Sequence, residues 1–140
     1  MMPMNMEPAD TLMLNEAELR EQYANLQQRA LLLGSRGQSR ITRIAEAMHS
    51  PPTGSADAYI RELKNAADDA KAAVLNFRRA HPFLETGNSL IESLAKPSPS
   101  TEDDEWRDQL LFRLAEVLAV GADLIEEGEA CLERSARVDI

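Results

Sequence analysis

The sequence predicts an all-α protein, an elongated antiparallel bundle of three long helical legs. Hydrophobic residues make up 44% of the 140 residues but aromatic residues only 4%, so the core must consist of aliphatic side chains and alanine. Apolar residues also recur at steps of three and four over three long stretches, which is the spacing of one helix face. Two proline-rich corners, at residues 50–54 and 96–100, separate these stretches and end the helices there.

The first leg is expected to follow an N-terminal tail. Residues 1–11 contain two prolines and lack apolar periodicity, which predicts a mobile tail before a single bundle domain over residues 12–140. Asn15 is a favourable N-cap. An apolar stripe follows it, formed by Leu19, Tyr23, Leu26, Ala30 and Leu33. Gly34 and Gly37 each weaken a helix by about 1 kcal/mol relative to Ala, so the leg either bends there or divides into two helices.

The second leg is predicted to start at Ser55, a favourable N-cap. Its apolar stripe is regular over Ala56, Ile60, Leu63, Ala67, Ala70, Val74 and Phe77. Pro82 has no backbone N–H to donate, so we expect this leg to be kinked or broken near Pro82. The turn-forming residues 86–89 add a second weak point. With these interruptions the three legs would count as four or five helices.

The third leg is predicted to begin at one of two overlapping variant capping boxes. Thr101 pairs with Asp104 in one of them, and Ser100 pairs with Asp103 in the other. Two adjacent apolar stripes then run along the leg, and their members are Trp106, Leu110, Leu111, Leu114, Val117, Leu118, Gly121, Ala122, Leu124, Ile125, Gly128, Cys131 and Leu132. This face is broader than a two-stranded coiled coil requires, so it suits a central bundle helix or a helix with a second partner.

Two further properties of the legs bear on how they pack. Gly121 and Gly128 lie seven residues apart on the third leg; there they either allow another backbone to approach closely or reflect loose packing. At about 1.5 Å per residue, each of the three legs is roughly 50 Å long. Legs of similar length can lie side by side in an up-down-up arrangement.

The charge is strongly negative and unevenly distributed. The formal net charge is -9, which disfavours nonspecific binding to nucleic acid or to anionic lipid. Residues 97–140 carry four basic and twelve acidic side chains, which suits a basic partner. In the first leg, by contrast, no acidic residue lies between Glu21 and Glu46, where the chain has Arg29, Arg36, Arg40 and Arg43. These arginines are either solvated or paired within the fold, or they form a docking surface.

The residues with catalytic or metal-binding chemistry do not form a site in sequence. Glu46 and His49 have the spacing of a carboxylate-bridged di-iron motif, but the second copy that such a site needs is missing. Glu85 follows His81 by one turn if the helix continues there, but the ordinary interpretation of His81 is a solvent-exposed residue at a kink, because the spacing does not supply the companion that a general base needs. Cys131 falls on the apolar stripe. Residues 34–37 are not followed by the Lys-Ser/Thr of a phosphate-binding loop. We therefore expect no metal, no cofactor and no enzymatic activity.

The sequence also bears on the cellular compartment. Cys131 is the only cysteine, no basic residue precedes Arg20, and no apolar segment follows Met1. A secretory signal peptide and an intramolecular disulfide are therefore not expected. The densest apolar stretch, residues 110–125, contains three charged side chains and is too short to span a bilayer. These observations predict a soluble, cytoplasmic protein without a membrane segment.

The leading functional hypothesis is a helical interaction protein, such as an adaptor, an assembly factor or a small acidic chaperone. Its partner would be basic or an amphipathic helix, because residues 110–132 combine a wide apolar face with surplus negative charge. The predicted contacts are apolar Leu111, Leu118 and Ile125, with Glu126, Glu127 and Glu129 as rim charges. The simpler interpretation of the three apolar residues is that they all belong to the core, and a homodimer could form through the same face.

The alternative hypothesis is a DNA-binding regulator. Residues 41–48, a turn and residues 55–64 loosely resemble a helix-turn-helix. However, the turn is long and contains Pro51 and Pro52. Asp57 would also lie near the start of the recognition helix, where it would repel phosphate.

Overall fold

The fold consists of three long helices. The computed structural model describes residues 15–49, 57–96 and 103–140, and no strand occurs in these ranges. Helix α1 (Glu16–His49) has 34 residues, α2 (Asp57–Ala95) has 39 and α3 (Asp103–Ala136) has 34. Each helix contacts both others, and α2 and α3 share the most extensive contact. The predicted all-helical bundle of three legs is therefore confirmed, whereas the predicted tail lies outside the described residues.

The contacts between helices give their directions. Gly34 of α1 lies against Phe77 of α2, and Gly37 lies against Val74, so α1 and α2 are antiparallel. In the same way α3 runs antiparallel to α2, since Gly128 lies against Asn76 whereas Gly87 lies against Leu118. It follows that α1 and α3 run parallel. Because α1 and α3 share the smallest of the three contacts, a seam remains open between them.

The predicted count of four or five helices is wrong, because no leg is divided. Helix α2 continues through Pro82, and α1 continues through Gly34 and Gly37. Pro82 and Arg78, whose carbonyl loses its usual donor, are both exposed, so water can satisfy that carbonyl. Buried residues on both sides of Pro82, such as Ala80 and Leu84, stay on one face. Their packing against the other helices outweighs the local disruption by proline.

The start of α1 is capped as predicted. The Asn15 side-chain carbonyl Oδ1 accepts hydrogen bonds from the backbone N–H groups of Ala17, at 2.8 Å, and Glu18, at 3.3 Å. These bonds satisfy two of the four N–H groups that a helix start leaves without partners. The predicted caps at Ser55 and at residues 100–104 cannot be compared, because their residues or side chains lie outside the described part of the chain. The two proline-rich corners lie largely outside it as well.

The core is aliphatic and rich in alanine. A main cluster runs along the bundle and includes Leu26, Leu84, Leu114, Leu118 and Ile125. A smaller cluster at one end comprises Ile44, Leu63, Ala66 and Ala70, covered by partly buried residues that include Val138 and Ile140. Alanines at fully buried positions of α2 bring its backbone close to its neighbours.

Close approach of helix backbones requires glycine at Gly128 but not at Gly121. A Cβ atom on Gly128 would lie 2.6 Å from Leu33 Cδ2, 3.1 Å from Asn76 Cβ and 3.4 Å from the Ala73 carbonyl oxygen. At Gly121 the nearest atoms would be 3.8 Å away, which is ordinary contact. The expectation of close packing therefore applies to one of these two glycines.

We expect Gly121→Ala and Gly128→Ala to change stability in opposite directions. Alanine in a helix interior is favoured over glycine by about 1 kcal/mol, so Gly121→Ala should raise the free energy of unfolding by about that amount. At Gly128 the same gain is outweighed by overpacking, which costs about 1–3 kcal/mol. Urea denaturation followed by circular dichroism measures both. A stabilised Gly128→Ala variant would contradict the close approach of α2 and α3.

Candidate interaction groove

The open seam between α1 and α3 forms a groove of about 580 Å³. Its apolar wall consists of Leu32, Leu33, Leu132 and Ala136. Along α1 it is lined by Arg29, Arg36, Arg40 and Arg43 together with Ser39, and along α3 by Glu129 and Glu133. An apolar centre between charged rims is the usual composition of a protein contact surface.

Arg29 is used within the fold. Its Nη2 and Nε donate to the two carboxylate oxygens of Glu129, at 2.5 and 3.0 Å, in a bidentate pair between α1 and α3. The hydrogen bond to Glu129 raises the pKa of Arg29. Both side chains are more than a third exposed, so the pair adds little to stability. One arginine of the α1 run thus lies beside the acidic segment, in agreement with the interpretation that these arginines are paired within the fold.

Arg40 forms hydrogen bonds with the C-terminal end of α3. Its Nη2 donates to the backbone carbonyls of Ser135, at 2.6 Å, and of Val138, while its Nε donates to Ser135 Oγ at 3.3 Å. The fully buried Ser135 hydroxyl donates in turn to the Ala66 carbonyl of α2 at 2.7 Å. Burial is the main cause that lowers the pKa of Arg40, followed by the nearby charge of Arg43. This network joins all three helices at one end of the bundle.

Arg36 and Arg43 leave most of their donors open to the groove. Both are exposed. Arg43 makes one hydrogen bond of 3.3 Å to the Ile140 backbone carbonyl. Arg36 forms no ion pair with a side chain in the described ranges. The two residues are seven positions apart on α1, so they lie on the same face about 10 Å from one another.

The predicted apolar contacts on α3 are core residues. Leu111, Leu118 and Ile125 are all buried, in the main cluster. The physical reason is that α3 packs against both other helices, which cover most of its two adjacent apolar stripes. A partner could reach these side chains only if the bundle opened. Their burial matches the alternative that the sequence left open.

The three acidic residues predicted to surround a partner do not share one environment. Glu126 and Glu127 are exposed, while Glu129 lies in the groove and pairs with Arg29. A contact of these three residues with a partner stays a prediction.

The groove itself was missed by the sequence analysis, although one signal pointed to it. Residues 31–33 are consecutive leucines, and successive helix residues are about 100° apart, so they cannot all face one core. In the structure Leu33 is buried, whereas Leu31 is 60% exposed and Leu32 is 44% exposed. The exposed Leu32 forms part of the apolar wall of the groove.

The residues with metal-binding or catalytic side chains stay dispersed. Glu46 and His49 are both exposed. His81 faces Glu85 on the surface of α2, with Nε2 3.1 Å from Oε1, and Cys131 is buried. Within the described ranges, no three His, Cys, Asp or Glu side chains are grouped so that they could hold a metal ion.

The segments of the helix-turn-helix hypothesis belong to long packed helices. Residues 41–48 lie in the last part of α1, and residues 57–64 open the 39-residue α2. The turn between them lies outside the described residues.

In the part of the chain that the structure describes, no helix combines the length and apolar character that crossing a membrane requires.

Comparison of the chain with protein-family models, with curated proteins and with solved structures finds no match. A functional assignment therefore depends on the chemistry of the groove and of the helices that form it.

Proposed function

We propose that the protein is a non-enzymatic helical module, acting as an adaptor, assembly factor or chaperone, and that its partner protein docks in the groove between α1 and α3. The observation that carries this proposal is the partly exposed apolar wall between charged rims. Leu32, which forms part of that wall, is 44% exposed. Removing apolar surface of this kind from water lowers the free energy of the complex and so favours binding of a partner.

The shape of the groove favours a helical occupant. Two parallel helices line the groove, over residues 29–43 of α1 and 129–136 of α3, and a helix laid along it would contact both, as in a four-helix bundle. Helix-in-groove recognition uses an apolar stripe for affinity and flanking charges for orientation. Because the core residues of α3 are already covered, this binding mode does not require the bundle to open.

The proposal includes a cytoplasmic setting and a role for the exposed acidic side chains. The lone cysteine, Cys131, is buried, which suits a reducing compartment as well as a core position. Glu126 and Glu127 are exposed on α3, where they would contribute charge around the docked partner.

We expect Leu32→Glu to abolish partner binding, while Leu75→Glu preserves it. The two leucines form a matched pair, since they are 44% and 46% exposed on helices, but Leu75 lies outside the groove. The tagged wild type and both variants are used to capture partners from native cells, and the captured proteins are quantified by mass spectrometry. Circular dichroism checks that both variants remain folded.

A protein that the wild type and Leu75→Glu retain, but Leu32→Glu does not, would support the proposal. If the two variants lose or retain the same proteins, the groove is not the docking site.

A further inference from the structure

We infer that the groove selects an amphipathic partner helix with acidic residues along one edge, oriented with that edge against Arg36 and Arg43. The inference rests on the proposed function and specifies its partner. Of the four arginines along the groove, Arg29 is held by Glu129 and Arg40 by the carbonyls at the end of α3. The remaining two therefore supply the charge that a ligand would meet.

The spacing of these two arginines matches a helix. They lie seven residues apart on one face of α1, which corresponds to about 10 Å. A partner helix running along α1 would present carboxylates at positions i and i+7 at the same interval. Guanidinium groups bind carboxylates through planar paired hydrogen bonds, so both arginines can be satisfied at once.

The opposite rim makes the groove asymmetric. Glu133 lines it from α3 and is exposed, whereas Glu129 on the same side is engaged by Arg29. An acidic side chain on that edge of the partner would be repelled, whereas lysine or arginine would be attracted. The two rims therefore fix which way the partner helix is rotated about its own axis.

The same charges argue against nucleic acid in this groove. Phosphates repeat along a nucleic acid backbone and require an extended run of basic groups. Here Glu133 lines the groove opposite the two available arginines, in a protein of net charge -9. A short acidic edge is the better electrostatic match.

The test uses two synthetic amphipathic peptides of about three heptads. Both have leucine at the core positions. The acidic-edge peptide has glutamate along one edge and lysine along the other, and the basic-edge peptide has lysine along both. Fluorescence anisotropy measures their binding to the wild type, to the double variant Arg36→Glu/Arg43→Glu and to the control Arg78→Glu/Arg79→Glu. The control makes the same charge change at two exposed positions of α2.

We expect the groove double variant to bind the acidic-edge peptide about tenfold more weakly than the wild type, and the control within about twofold. The basic-edge peptide should show the reverse preference, with tighter binding to the groove double variant. Equal binding of both peptides by the wild type, or equal losses in groove and control variants, would overturn the inference.

Three additional measurements separate the inference from the function on which it rests. If Leu32→Glu weakens binding of both peptides but the charge reversals do not, the groove is a docking site without acidic selectivity. If Leu32→Glu leaves both peptides and the native partner unaffected, the proposed function itself fails. If the wild type is a dimer in analytical ultracentrifugation and the groove double variant is a monomer, a second copy of the chain occupies the groove. If duplex DNA binds to the wild type and loses affinity for the groove double variant, a nucleic acid occupies it. Either result would overturn the inference.

Discussion

Leu118→Asp is expected to unfold the bundle. Leu118 lies in the middle of α3 with none of its side chain exposed, in contact with Gly87 of α2. Truncating a buried leucine removes about 2–5 kcal/mol of stability, and an unpaired buried carboxylate adds a further penalty of several kcal/mol. Together these losses match the roughly 5–15 kcal/mol that stabilises a typical domain. The helical circular dichroism signal at 25 °C should collapse.

A nearby position of the same helix provides the control. Val120 is 41% exposed, so Val120→Asp should change the free energy of unfolding by less than about 1 kcal/mol. If Leu118→Asp instead stays helical and melts cooperatively but loses a partner, then Leu118 is an interface residue, as the sequence first suggested. The pair of variants therefore decides between the core and the docking roles of the α3 stripe.

The three-leg architecture could be predicted because its signals are local. Each apolar stripe is encoded within one helix, and the prolines at the corners act on their immediate neighbours. The continuity of α2 could not be predicted, because the cost of Pro82 is local whereas the compensation is not. That compensation comes from packing of residues such as Leu84 against α3, where Gly121 lies. A single sequence does not show how strongly packing against other helices keeps a weak segment helical.

The candidate site was harder to predict for a related reason. Periodicity identifies an apolar face but not the number of helices that cover it, so the sequence leaves both a core and a partner-binding role open for Ile125, which its own chain buries. The contacts that shape the groove join residues about a hundred positions apart, such as Arg29 and Glu129. The sequence could place an arginine run and an acidic segment side by side only as one of two alternatives. Which arginines remain available depends on these long-range pairings.

Arg40→Met is expected to lower the free energy of unfolding by about 2–3 kcal/mol, the typical effect of losing charge-assisted hydrogen bonds to buried groups. The last carbonyls of a helix lack their usual partners within it. Arg40 donates across the bundle to the Ser135 carbonyl, which also accepts from the Val138 N–H, and to the carbonyl of Val138 just beyond the helix. Methionine retains much of the aliphatic stem but no donor. Urea denaturation measures the loss, and hydrogen exchange should show faster opening at the end of α3.

Arg36→Met is the matched control for this effect, since it removes an arginine one turn earlier on α1. Arg36 is exposed and makes no ion pair within the described ranges, so its replacement should change stability by less than about 0.5 kcal/mol. Combining Arg40→Met with Ser135→Ala tests the network directly, because Arg40 Nε and Ser135 Oγ are in contact. The two losses should then be less than additive. Equal effects of Arg36→Met and Arg40→Met, or full additivity with Ser135→Ala, would show that Arg40 does not hold the three helix ends together.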